Sequence, residues 1–284
     1  MEPDLLRSRI GFMQGRLSPP IAGQIQAFPT EHWRDEFRIA ATHGFDLMEW
    51  TLDQSGLSVN PLMTDNGRIE IRQLCKVHEI EIPSLTGDCF IQEPFWKAPE
   101  DSRLALQADF CRIAEACSEL GIGMLMIPLV DHGSLESGEQ EQILLEFLDE
   151  QQSRFEELGV NVILESDYAP QRLEQLMSKL SDTTFGVNYD IGNSAALGFD
   201  PAEELALYGH RIRNVHIKDR LLGGITVALG EGAANLPHVL QLLVENGYTG
   251  NYILQTARAE NGDDVGRLCH YRDMTRAWLE HDES

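Results

Sequence analysis

The sequence is short of positive charge: 22 lysines and arginines stand against 46 aspartates and glutamates, a formal net charge of -24. A surface of that sign repels polyanions, so nucleic acid and anionic membranes are not expected partners. Long apolar runs are missing too, with no stretch of about 18 apolar residues. The opening "MEPDLLRSRIGF" has no basic segment followed by an apolar one, so no leader is expected and the expected location is cytoplasmic. Five cysteines, Cys75, Cys89, Cys111, Cys117 and Cys269, are odd in number and scattered. Without CxxC spacing they outline neither a disulfide framework nor a zinc ribbon. No internal repeat is visible, and no GxGxxG follows the first candidate strand, which disfavours a doubly wound dinucleotide-binding sheet.

What is present suits one soluble folded domain, with 284 residues of which 42% are hydrophobic and 24% charged. Eight short runs read as strands: 9–15, 45–50, 81–87, 123–130, 161–166, 185–190, 213–218 and 251–256. Most are continuously apolar rather than alternating, as in parallel strands covered on both faces. Helical periodicity lies between them, for example Leu106, Phe110, Ile113, Cys117 and Leu120 before Gly121. Asp200 followed by Pro201 reads as an N-cap with proline at the first helical position. Strands alternating with helices in this number predict a single (β/α)8 TIM barrel spanning residues 1–284. The acidic stretch from Glu141 to Glu157 reads as the solvated face of one of its helices.

In such a barrel the C-terminal strand ends converge on one mouth, so polar residues closing apolar runs become neighbours. Glu165, Asp190, His216 and Gln255 close or nearly close the last four runs. Two carboxylates, an imidazole and an amide carbonyl suit a divalent cation, Mn2+ or Mg2+ before Zn2+ or Co2+. Each also has a structural reading: an aspartate at such a place often caps a helix, and a lone histidine is often only hydrogen-bonded.

The most specific segment is 185–232, where Asp190, Gly192 and Asn193 form D-x-G-N, followed by H-I-K-D-R at 216–220 and G-x-G at 230–232. With "GFMQGRLS" at 11–18 and "LMEW" at 47–50, this resembles the xylose-isomerase-like barrels. The likeness is to the sugar (phosphate) isomerase and epimerase branch, which shares its fold with endonuclease IV. The resemblance implies metal ligands at Glu165, Asp190 and His216, with the branch's second glutamate falling on Gln255. A histidine common in the ketohexose epimerases falls on Asn193.

The resemblance also implies chemistry: a metal holds the carbonyl and adjacent hydroxyl oxygens while a carboxylate, here Glu165, removes a carbon-bound proton to give an enediolate. Gln255, at the second catalytic position, cannot act as a base. Isomerisation through one base is therefore favoured over two-base epimerisation, unless Glu260 folds back to supply the acid. Glu49 is a weaker candidate base. Arg16, Lys218, Arg220 and Arg258 follow strands and are candidates to receive a substrate phosphate or carboxylate, while Phe12 and Trp96 could offer apolar surface to a sugar. A sugar-acid or inosose-type dehydratase on the same barrel is the alternative. A non-catalytic sugar-binding protein or an endonuclease-like hydrolase follows less readily, and barrels of this branch often form homo-oligomers.

Overall fold

The structure, a computed structural model, describes residues 9–21 and 23–280. Most of the N-terminal stretch read above for a leader therefore lies outside the described residues. All eight expected strands form: β1 (Ile10–Met13), β2 (Met48–Thr51), β3 (Ser84–Thr86), β4 (Met124–Leu129), β5 (Asn161–Ser166), β6 (Phe185–Asp190), β7 (Ile212–Ile217) and β8 (Asn251–Leu254). They close into one barrel in the order β1-β8-β7-β6-β5-β4-β3-β2, with parallel neighbours throughout. No described helix is long and apolar enough to cross a membrane.

The helices keep the sequence periodicity. Glu100–Leu120 buries Phe110, Ile113 and Cys117 and ends at Gly121 with φ +75°. That left-handed position is one glycine takes without steric cost. Gly138–Leu158 turns Leu144, Phe147, Leu148 and Phe155 inward, while its Glu141 meets Arg172 and Lys179 at the surface. Asp200 caps Pro201–Tyr208 by accepting the Ala202 N–H.

Two features exceed the eight-plus-eight pattern. Short helices follow β3 (Asp88–Gln92) and β6 (Ile191–Leu197), and a two-stranded hairpin pairs Asp219–Arg220 with Thr226–Val227 beyond β7. Asp219 fixes the segment after this hairpin: Oδ2 accepts the Gly230 and Gly232 N–H groups and Oδ1 that of Ala234. A Cβ at position 232 would sit 2.0 Å from Asp219 Oδ1, so the second glycine of the G-x-G is a steric requirement. Asp219 is thus a loop anchor rather than a partner of the nearby arginines.

Register sets up the mouth. Asp190 lies opposite His216 and Asn188 opposite Asn214 because the β6–β7 pairing shifts by one residue after Val187. Ile253 pairs with His216 and Pro128 with Glu165, so the polar ends of β5, β6, β7 and β8 rise at one rim.

Outside the barrel, Phe110 stacks on Phe90 at 4.8 Å between ring centroids and meets Phe147 at 5.3 Å and Phe155 at 5.7 Å. Removing a fully buried ring leaves a cavity as well as lost transfer energy. Phe110→Ala is expected to lower stability by about 3–5 kcal/mol, read as a fall in denaturant midpoint with an unchanged slope.

Candidate active site and metal centre

Period-two alternation turns Glu49, Asn188, Asn214 and His216 into the barrel interior, where all four are buried. The Glu49 carboxylate accepts from Ser84 Oγ (2.6 Å), Thr86 Oγ1, Asn214 Nδ2 (2.9 Å) and His216 Nε2 (2.8 Å). Burial alone would raise its pKa, but the facing His216 and these donors hold it below the usual carboxylate value. His216 shows the converse: burial disfavours its charge, yet Glu49 and Glu165 outweigh it and push the imidazole up to about 10. With Nε2 committed to Glu49, Nδ1 points at Glu165 Oε2, 3.3 Å away.

Glu165, Asp190 and His216 each offer a ligand atom, and these atoms lie within 4.8 Å of one another in a buried cluster. The donor set fits a divalent cation, which on binding would displace the Nδ1 proton of His216: two carboxylate oxygens and an imidazole nitrogen whose opposite nitrogen is already held by a carboxylate. Asp190 serves two ends. Its Oδ1 caps the Ile191–Leu197 helix through the Asn193 N–H at 2.8 Å, and its Oδ2 accepts from Lys218 Nζ at 3.0 Å. The cap reading and the cluster reading of this aspartate coexist on its two oxygens.

Asn193 organises the rest. Its Nδ2 donates to Glu165 Oε1 at 2.8 Å, and its Oδ1 accepts from Lys218 Nζ at 3.1 Å and Arg220 Nη1 at 2.8 Å. Gln255, immediately after β8, accepts from Lys218 Nζ at 3.2 Å and donates to Gln26 Oε1 at 2.9 Å. Its carbonyl therefore faces the ammonium that contacts Asp190. Glu165, Asn193, Lys218, Arg220 and Gln255 all line one cavity of about 490 Å3 at the mouth, a volume suited to a small ligand.

Other candidates fall elsewhere. Trp96 is buried in the wall, its Nε1 donating to the Gly133 carbonyl at 3.1 Å and its ring packed edge-on against Phe95. Phe12 is likewise buried against Phe45. Neither offers a face to a sugar. Arg16 donates to the carbonyls of Thr256 and Ile25, and Arg258 to those of Gly15 and Ser18 and to Asp264. Both arginines tie the first βα loop to the last strand end, and their donors are spent within the protein, on backbone oxygens, Gln26 and Asp264, instead of a substrate anion. Glu49 lies beneath the cluster rather than in the cavity, in contact with His216. Glu260 is exposed and is not among the residues lining the cavity.

Five polar lining residues escaped sequence reasoning: Gln26, Thr86, Asp88, Asp131 and Thr226. Thr86 closes β3 and was legible as a polar strand end. Gln26, Asp88 and Asp131 follow their strands in loops or short helical turns, where no periodicity marks the inward residue.

Comparison with known proteins agrees with this architecture. The profile of the xylose isomerase-like TIM barrel family matches residues 37–274. L-ribulose-5-phosphate 3-epimerase of Escherichia coli is 24% identical over 270 residues, covering 91% of this chain and 94% of the relative. Among solved structures, the IolI protein with a bound zinc atom superposes with a TM-score of 0.75 at 17% identity, covering 97% of this chain and 99% of the other. D-psicose 3-epimerase of Clostridium cellulolyticum, solved with D-tagatose, gives 0.72 at 13% identity, covering 96% and 99%. With a closed eight-stranded parallel barrel and a family match over most of its length, the chain belongs to the xylose isomerase-like TIM barrel family.

Proposed function

We propose that the chain is a sugar or sugar-phosphate isomerase/epimerase that moves a proton at the carbon beside a carbonyl, with Glu165 as the base. The observation that carries this reading is the buried cluster of Glu165, Asp190 and His216 beside the mouth cavity. The epimerase activity of the E. coli relative and of the psicose enzyme supports it.

Glu165, Asp190 and His216 would hold a divalent ion, Mn2+ or Mg2+ before Zn2+ or Co2+. The Gln255 carbonyl would serve as fourth ligand once Lys218 releases it. When bound, the ion polarises the substrate's carbonyl and neighbouring hydroxyl oxygens, lowering the barrier to losing the adjacent proton. The protein does the rest. Asn188 and Asn193 fix both Glu165 oxygens at 2.8 Å, which aims the carboxylate. Lys218 and Arg220 bring positive charge to the cavity and suit a phosphate or the negative charge of an enediolate. Gln255, an amide, orients and takes no proton. Glu49 is a positioning residue that acts through His216.

The test is solvent exchange. In D2O with Mn2+ and L-ribulose 5-phosphate, the protein is expected to place deuterium on the carbon beside the carbonyl. Glu165→Gln should slow this by about a hundred- to ten-thousand-fold; exchange at the original rate in that variant would overturn the assignment. Glu49→Gln is expected to weaken Mn2+ binding by about 10–100-fold, measured by calorimetric titration, with the fold intact by circular dichroism.

A further inference from the structure

Asp88 opens the short helix after β3 and lines the same cavity as Glu165, a carboxylate that the chemistry of Glu165 leaves unused. Its surroundings form a directed row of side chains. Gln255 Oε1 accepts from Lys218, so its Nε2 faces Gln26. Gln26 Oε1 accepts from Gln255 and from Arg16 Nη2 at 3.3 Å, so its own Nε2 faces Asp88 and donates to Oδ2 at 2.6 Å. The cations fix both amide orientations. A carboxylate thus sits one glutamine away from the position where the sequence puts an amide. Among the described residues its Oδ1 makes no hydrogen bond, whereas Glu165 has both oxygens engaged.

We propose that Asp88 is the second proton-transfer residue, acting on the substrate carbon from the face opposite Glu165 and so allowing that carbon to be inverted. This rests on the reading of Glu165 as the first base. Glu165 takes the proton from the carbon beside the carbonyl; the C–H electron pair becomes the new carbon–carbon π bond, and the carbonyl π pair moves to oxygen. As that pair returns, Asp88, starting as the acid, places its proton on the other face. Glu165 ends protonated and Asp88 ionised, and exchange with water restores both. No oxidant or reductant enters.

The surroundings suit a group needed in both protonation states. Burial, with the negative charges of Asp53 and Glu165, pushes the Asp88 carboxyl up to about 7 against the Gln26 donor and Arg16. A carboxyl titrating near neutrality gives and takes protons equally well. The row through Gln26 also explains why Gln255 is tolerated: an amide there can anchor the glutamine that holds the displaced acid.

The experiment follows L-ribulose 5-phosphate and D-psicose by NMR in D2O, using metal-loaded wild type and Asp88→Asn. The variant is expected to lose C3 inversion by about 10^2–10^4-fold while still placing deuterium at C3 of uninverted substrate through Glu165. Asp88→Glu should recover part of the inversion, and equal melting temperatures and Mn2+ contents exclude misfolding. Inversion at the wild-type rate in Asp88→Asn would overturn the proposal. So would wild type that labels C1 without inverting C3, although Glu165 would keep its role. No exchange by wild type on either sugar would remove the Glu165 reading and this inference together.

Discussion

The contact on which the mouth depends is the pair of Glu49 and His216, 2.8 Å apart with both side chains fully buried. Bringing opposite charges into a barrel interior is expensive, and their attraction offsets that cost only when the remaining lone pairs find partners. Here Ser84, Thr86 and Asn214 complete the shell around Glu49. The result is an imidazole with one nitrogen fixed and the other turned toward Glu165, an orientation conferred by residues on β2, β3 and β7 together. Loss of any of these strands would undo it, so barrel closure and site geometry are one constraint.

Much of this was legible in the chain. The strands declared themselves as short apolar runs, and the polar residues closing β5, β6 and β7 could be placed at one rim because a parallel barrel leaves them nowhere else to go. Cations were harder. Arg16 and Arg258 follow strands just as Lys218 and Arg220 do, but the former pair is drawn onto the carbonyls of the first and last loops, whereas Lys218 and Arg220, although Arg220 also donates to the Gly224 carbonyl, line the cavity. Sequence spacing carries no record of which carbonyls a loop will leave unpaired. Trp96 is similar: an aromatic after a strand can cover a ligand or pack a wall, and only the position of Gly133 decides.

Gln255 taken alone argues for chemistry on a single face. Its neighbours change that, because an amide both accepts and donates and can relay orientation where a carboxylate could not. Gln26 and Asp88 are separated by 62 positions in the chain, a distance over which no local pattern links them. The fold makes them adjacent by returning the first βα loop across the mouth.

The Asp219 cradle bears on how the scaffold can diversify. Three amide groups between positions 230 and 234 are held by one carboxylate, and the glycine between them leaves no room for growth. That stretch is frozen onto the hairpin strand that follows His216 and Ile217. At the hairpin tip before it the backbone is held, with Arg220 donating to the Gly224 carbonyl, but the side chains are open: Leu221, Leu222 and Ile225 are exposed, and Ile225 also lines the cavity. Side-chain substitutions at Leu221, Leu222 and Ile225 can therefore retune ligand preference without disturbing the residues beneath the cavity. A lineage built on this barrel could change its substrate repertoire there while inheriting the same chemistry.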